Sequence, residues 1–185
     1  MNISRAKMLF AMATFALVMM TGKADAAFET TVPVSAELGT SIAGNLFPVT
    51  VKLSNGSLFL TDPYLLFIDN KRIAIRVRFQ AYDHRPAQSI AISETGIALL
   101  SGRVGYDPDA RQILLHDPTM DSFEFDHDSD VTQRFLAEVN ALWVAQVTNP
   151  IRSEIPPHAY IYPFRDYIQD VSYNGKNINL KILYE

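Results

Sequence analysis

The stretch RIAIRVRFQAY, residues 72–82, decides the fold of this chain because apolar and polar residues alternate along almost its whole length. One side of an extended strand would carry Ile73, Ile75, Val77, Phe79 and Ala81. The other side would carry Arg72, Ala74, Arg76, Arg78 and Gln80. Since successive side chains of a β-strand point to opposite faces, this period of two predicts a strand with one buried and one solvated face. The arginine row is then a solvated sheet face and not an anion site.

Further strands and turns surround this one. VTVKL (49–53) alternates in the same way, and the Asn55-Gly56 and Asn174-Gly175 pairs are strong hairpin signals. A Leu-x-Asp-Pro pattern at 60–63 and again at 115–118 predicts two turns of the chain. The sequence from 89 to 107 reads as two strands that are broken near Glu94-Thr95-Gly96.

Two segments have helical periodicity. A short stripe with four-residue spacing precedes Pro48 and consists of Val34, Leu38, Ile42 and Leu46. DVTQRFLAEVNALWVAQVT (130–148) predicts a longer helix over 131–147, ended by Asn149-Pro150. Its apolar residues cover an arc of roughly 160° and are Val131, Phe135, Leu136, Val139, Leu142, Trp143 and Val147. So wide an arc favours a helix embraced by a curved sheet over one that touches a flat surface.

The stretch FEFDHDSDVTQRF (123–135) places four carboxylates around His127, an arrangement that could hold calcium. An EF-hand loop needs Gly at its sixth position and Glu at its twelfth. Counted from Asp126, these positions hold Val131 and Ala137. Asp residues just before a helix instead favour capping and complement the positive end of the helix dipole. We therefore predict a helix start and no metal site.

No other motif points to catalysis or to a cofactor. The sequence contains no Gly-x-Ser-x-Gly elbow, phosphate loop or His-Glu-x-x-His motif, and it has no cysteine. The four histidines are scattered at 84, 116, 127 and 158. We predict a protein without enzymatic activity, catalytic residues or cofactors. The formal net charge of −4 argues against nucleic acid as a partner, because such partners require a basic patch.

The N-terminus has the pattern of a secretory signal peptide. Arg5 and Lys7 precede an apolar run of 13 residues, which is shorter than the ~20 needed to span a bilayer. Small residues follow at Ala24 and Ala26, where a signal peptidase would cut. We predict a signal peptide at 1–26, a single domain at 27–185, and a periplasmic or secreted location without lipidation.

Several motifs together resemble the YceB-like bacterial lipoproteins, a family whose domain has no known function. They are the Gly-x5-Gly-x3-Tyr-Asp stretch from Gly96 to Asp107, the Leu-x-Asp-Pro pattern, and PPHAYIYPF (156–164) before the last hairpin. The resemblance covers roughly residues 45–185. Members typically carry a lipidated cysteine, which this chain lacks. Through its fold the family is similar to the tubular lipid-binding (TULIP) superfamily.

This resemblance implies an α+β fold in which a long curved antiparallel sheet wraps around one long amphipathic helix. It also implies lipid or another apolar ligand held between sheet and helix, and transient contact with a membrane. The residues expected to face the ligand are Ile75, Val77, Phe79, Phe135, Val139, Leu142 and Trp143. Periodicity equally allows a filled core. The alternative function is a periplasmic assembly factor that binds a protein through a sheet edge or the Tyr-rich segment 158–167.

Overall fold

The computed structural model describes residues 28–83 and 93–184, so the expected signal peptide and His84 lie outside the described residues. Residues Glu29–Leu183 form one compact unit. The other unit contributes only Phe28 and Tyr184 to the described part, and their rings stack with centroids 6.5 Å apart.

Strands dominate the described residues. The chain order is β1 (Phe28–Val34), α1 (Ala36–Gly44), β2 (Val49–Lys52), β3 (Gly56–Phe67), β4 (Ile73–Asp83), β5 (Ser93–Asp107), β6 (Gln112–Phe125), α2 (Asp130–Gln146), β7 (Ile151–Glu154), a 3-10 helix (Tyr162–Tyr167), β8 (Ile168–Tyr173) and β9 (Ile178–Tyr184). Strands β2 to β7 form a six-stranded sheet in chain order, and every neighbouring pair in it is antiparallel. This sheet is strongly curled, as a half-barrel. A second sheet has the order β1-β9-β8.

The alternation along β4 is confirmed for most of its length. Val77, Phe79 and Ala81 are buried, whereas Arg76 and Arg78 are exposed. Ala74 was expected on the solvated face but is also buried. Ala74 pairs with the equally buried Ser101 of β5. On the same face, Arg72 donates hydrogen bonds to Ser101 Oγ at 2.7 Å and to Thr119 Oγ1 at 3.0 Å, so this part of the face is not simply solvated.

The two turns predicted from Leu-x-Asp-Pro are wrong, because both patterns lie inside long strands. Between Thr61 and Tyr64, β3 contains one residue more than its partner β4. The pattern in β6 coincides with a similar extra residue opposite β5. Asp62 and Asp117 adopt left-handed φ values of 49° and 48°. Each Asp-Pro therefore forms a β-bulge, where the missing N–H of proline costs no ladder hydrogen bond and the strand bends.

The first bulge also allows α1 to join the sheet. Strand β2 pairs with β3 only as far as Leu60, which leaves the edge of β3 free beyond the bulge. There, Leu65 N donates to Thr40 Oγ1 of α1 at 2.9 Å. The short helix predicted before Pro48 is thus confirmed, with Ser35 as its N-cap. Of the four residues in its predicted stripe, Val34 and Ile42 are buried, whereas Leu46 is 42% exposed.

The break predicted near Gly96 is also wrong, since β5 runs unbroken from Ser93 to Asp107. Gly96 is instead a point of close approach between three strands. It pairs with Phe79 on one side and Phe125 on the other. A Cβ at this position would overlap the carbonyl oxygen of Glu124 and the ring of Phe79. Glycine within a strand pattern often marks such a contact and not an end.

We predict that Gly96→Ala lowers the free energy of unfolding by about 1–3 kcal/mol, because backbone and ring atoms must shift to admit the methyl group. Gly44→Ala is the matched control. A Cβ at Gly44 meets no atom within 4 Å, and alanine favours helix there. Urea denaturation measures both changes. Equal effects of the two substitutions would contradict the close approach at Gly96.

Candidate ligand cleft

Helix α2 begins with a side-chain cap at the end of the acidic stretch. Thr132 N donates to Ser129 Oγ at 3.2 Å, and Ser129 N donates to Thr132 Oγ1 at 2.8 Å, which forms a capping box. The expected helix start is confirmed, but the N-cap is Ser129 and not one of the aspartates. Asp130 lies in the first turn, where its charge suits the helix dipole. Glu124 still belongs to β6.

The other carboxylates of this stretch have separate protein partners. Asp126 Oδ2 accepts from Thr95 Oγ1 at 2.5 Å, and Asp128 Oδ1 accepts from Gln133 Nε2 at 3.0 Å. Within 28–83 and 93–184, no three metal-ligating side chains are grouped so that they could hold an ion. These bonds attach the loop to β5 and to the first turns of α2.

An aromatic cluster fills the space beneath the N-terminal half of α2. The rings of Phe79 and Phe123 stack with centroids 4.2 Å apart, and the edge of Phe125 meets Phe79 at 5.0 Å. Phe135 of α2 lies 6.1 Å from Phe125. Phe79 and Phe135 are only 2% and 5% exposed. These two rings form a packed core, and each aromatic contact adds about 0.5–1.5 kcal/mol beyond the buried area. Phe123 and Phe125 are half-buried, and their outer sides line a surface hollow of about 290 Å³ together with Thr132 and Leu136.

The C-terminal half of α2 stands over an open cleft of about 270 Å³. The sheet contributes Val51, Leu58, Leu60, Val77, Ala98, Leu100, Met120 and Phe123, and the helix end contributes Val139, Leu142, Trp143, Gln146 and Val147. Five neighbouring strands and one helix thus meet around one apolar space. Its volume exceeds the ~150 Å³ of a cavity that holds benzene. It falls just below the ~300 Å³ at which drug-sized ligand pockets begin.

The predicted site residues separate into two groups. Val77, Val139, Leu142 and Trp143 line the cleft. Phe79 and Phe135 lie in the packed aromatic core, and Ile75 is a half-buried residue that packs against this core.

Sequence reasoning missed most of the sheet wall. Val51, Leu58 and Leu60 come from β2 and β3, and Ala98 and Leu100 come from β5. The signal that could have found them is the period of two in VTVKL and in the strand after Gly96, once these strands are placed beside β4. Their adjacency depends on register, in which Val77 pairs with Ala98 and Val51 with Leu58.

The groups whose pKa is shifted from its ordinary value lie outside the cleft. Hydrogen bonds from Arg103 and then Asn149 lower the pKa of Asp117 at the bulge of β6. A backbone N–H from Ala110, followed by Arg152, lowers the pKa of Asp107. Burial raises the pKa of Tyr106. Among the described residues that line the cleft, none is titratable, and the polar side-chain groups are the amide of Gln146 and the indole N–H of Trp143.

A smaller hollow of about 50 Å³ lies on the other side of α2, near its start. Its polar lining includes Asn55, Asp83, Arg134 and Glu138. Asn55 Nδ2 donates to Glu138 Oε1 at 2.9 Å, which ties the first hairpin to the helix. A water molecule needs at least ~10–15 Å³ of such volume. The hollow therefore has room for a few waters and is too small for a drug-sized organic ligand.

The sequence matches no protein-family model, and it matches no curated protein closely enough to identify a relative. Among the described residues, no helix is long and apolar enough to cross a membrane.

We predict that the packed core and the cleft wall respond differently to truncation. Phe79→Ala should cost about 3–5 kcal/mol, as is typical for a buried aromatic residue. Leu142→Ala should cost less than the ~2–5 kcal/mol of a fully packed leucine, because one side of Leu142 faces empty space. Denaturant unfolding compares the two. A loss at Leu142 as large as that at Phe79 would mean that the cleft is filled by protein.

Proposed function

We propose that this chain is an exported, non-catalytic binding protein for lipid or another apolar small molecule, with a TULIP-like arrangement of helix and sheet. The open apolar cleft between the end of α2 and the curled sheet carries the proposal. Its walls come mostly from five paired strands and from the C-terminal part of α2, so the space is preformed. Preformed walls reduce the ordering cost that a flexible site pays on binding.

The favourable free energy of binding would come from the burial of the ligand's apolar surface. Each methylene group that leaves water contributes about 0.8 kcal/mol. A chain of eight to ten methylenes therefore contributes roughly 6–8 kcal/mol before the costs of association. Such a ligand requires apolar walls and few polar groups, which is the composition of this cleft.

Trp143 provides a direct measure of binding. It is the single tryptophan of the chain, and it lines the cleft. A ligand that enters must change the surroundings of its indole ring. Titration with 1-dodecanol, an uncharged probe, followed by tryptophan fluorescence should therefore show saturable binding.

We predict that Val139→Phe abolishes this binding or weakens it at least about tenfold, a loss of ~1.4 kcal/mol, because the larger ring occupies the cleft. The melting temperature should fall by less than the overfilling of a packed core would cause, since one side of the buried Val139 faces the cleft. Val144→Phe is the matched control, because Val144 lies on the same helix but is 85% exposed. This variant should bind like the parent protein.

A filled core in place of the cleft would give a different result for Val139→Phe. In a filled core, the added ring costs about 1–3 kcal/mol and lowers the melting temperature by several degrees. If Val139→Phe is destabilised in this way and the parent protein does not bind dodecanol, the apolar-ligand proposal is wrong.

One observation favours a second candidate function, the binding of a protein partner. Tyr160 and Tyr162, at the start of the Tyr-rich segment, are 40% and 63% exposed. Tyrosine is enriched at protein interfaces, where its ring supplies contact area at low entropic cost. This function would leave Trp143 fluorescence unaffected by apolar probes, and it would be sensitive to Tyr162→Ala.

Export is a separate part of the proposal and has its own test. If residues 1–26 form a signal peptide, protein recovered from the periplasm or medium of an expressing bacterium should begin at Ala27. Intact mass spectrometry distinguishes this species from the full chain. A recovered mass that retains residues 1–26 would contradict cleavage. We further propose that the protein contacts a membrane only transiently, to load or release its ligand.

A further inference from the structure

The mouth of the cleft lies at the C-terminal end of α2. Gln146, the last residue of the helix, is exposed and yet lines the cleft. Val147, which also lines it, is the C-cap, and its N–H donates to Trp143 O at 3.1 Å. A ligand whose apolar part fills the cleft would therefore place its polar end beside the final turn of the helix.

A helix end of this kind is electrostatically negative. The last carbonyl groups of a helix have no partner within the helix, and the aligned peptide dipoles concentrate partial negative charge there. The last turn of α2 contains no basic residue that would offset this charge. The carboxamide of Gln146 is neutral. An anionic group at the mouth would thus meet carbonyl oxygens, and the last turn of α2 supplies no cation to balance it.

From this placement we infer the ligand class, an inference that rests on the proposed function. The cleft accepts apolar ligands whose polar end is an uncharged or positively charged hydrogen-bond donor, such as a hydroxyl or an amine. It discriminates against ligands that end in a carboxylate. A donor can bond to the last carbonyls of the helix and to the Gln146 amide oxygen, whereas a carboxylate can accept from the Gln146 amide N–H but is repelled by the carbonyl oxygens of the helix end.

Three probes with the same twelve-carbon chain test this inference. They are 1-dodecanol, dodecylamine and dodecanoate, each below its aggregation concentration, at neutral pH where the amine is protonated and the acid ionised. Trp143 fluorescence reports each titration. We expect the alcohol and the ammonium ion to bind and dodecanoate to bind at least about tenfold more weakly.

A charge substitution then tests whether the negative end of α2 causes the discrimination against dodecanoate. Gln146→Lys places a cation at the mouth, and a cation suits the C-terminal end of a helix, so folding should be preserved. It should strengthen dodecanoate binding about tenfold and weaken dodecylamine binding. Gln133→Lys is the matched control, because it introduces the same charge near the opposite end of α2, at a residue outside the cleft lining. It should leave all three affinities unchanged.

The outcomes separate the two proposals. If none of the three probes affects Trp143, the apolar-ligand function itself fails. If dodecanoate binds the parent protein as tightly as dodecanol, the function stands and the inferred ligand class is wrong. The same conclusion follows if folded Gln146→Lys does not improve dodecanoate binding, since the polar end would then lie away from the helix terminus.

Discussion

The structure depends on the burial of one apolar face of α2 against the curled six-stranded sheet. Phe135 and Val139 are the buried anchors of this contact, and they pack with Phe79 and Val77 from β4. The chain has no cysteine, so no disulfide supports the fold. Non-directional burial of apolar area must then supply most of its stability, opposed by the entropy of ordering the chain.

The curvature of the sheet determines how this contact is filled. Bulges at Asp62-Pro63 and Asp117-Pro118 bend β3 and β6 and increase their twist. A straight helix cannot follow a curled surface along its whole length. The aromatic rings near Phe125 fill much of the space beneath the start of α2, whereas smaller aliphatic side chains around Ala98 leave a cleft near its end. Curvature and side-chain size together produce a core on one side and a cleft on the other.

This division also has a functional meaning. The packed aromatic part resists deformation and holds α2 in place, so the open part need not contribute fully to stability. Because its described walls are apolar, the cleft cannot orient a ligand by many hydrogen bonds. Under the proposed function, discrimination among ligands would come from length, from shape, and from the field of the helix end at the mouth.

By itself, the sequence determined the local elements. The alternation of RIAIRVRFQAY identified β4, the period of 3.6 identified α2, and Asn-Gly pairs identified two hairpins, because these patterns reflect interactions between residues close in the chain. It also provided four of the thirteen residues of the cleft wall, three on the helix and Val77 on the sheet. What it could not determine depends on pairing between distant segments. Leu60 and Leu100 join one wall only through strand register, and Asp-Pro becomes a bulge only when a neighbouring strand continues past it. Tertiary structure alone decided which apolar residues pack and which face a void, because that outcome is set by sheet curvature and by the side chains opposite.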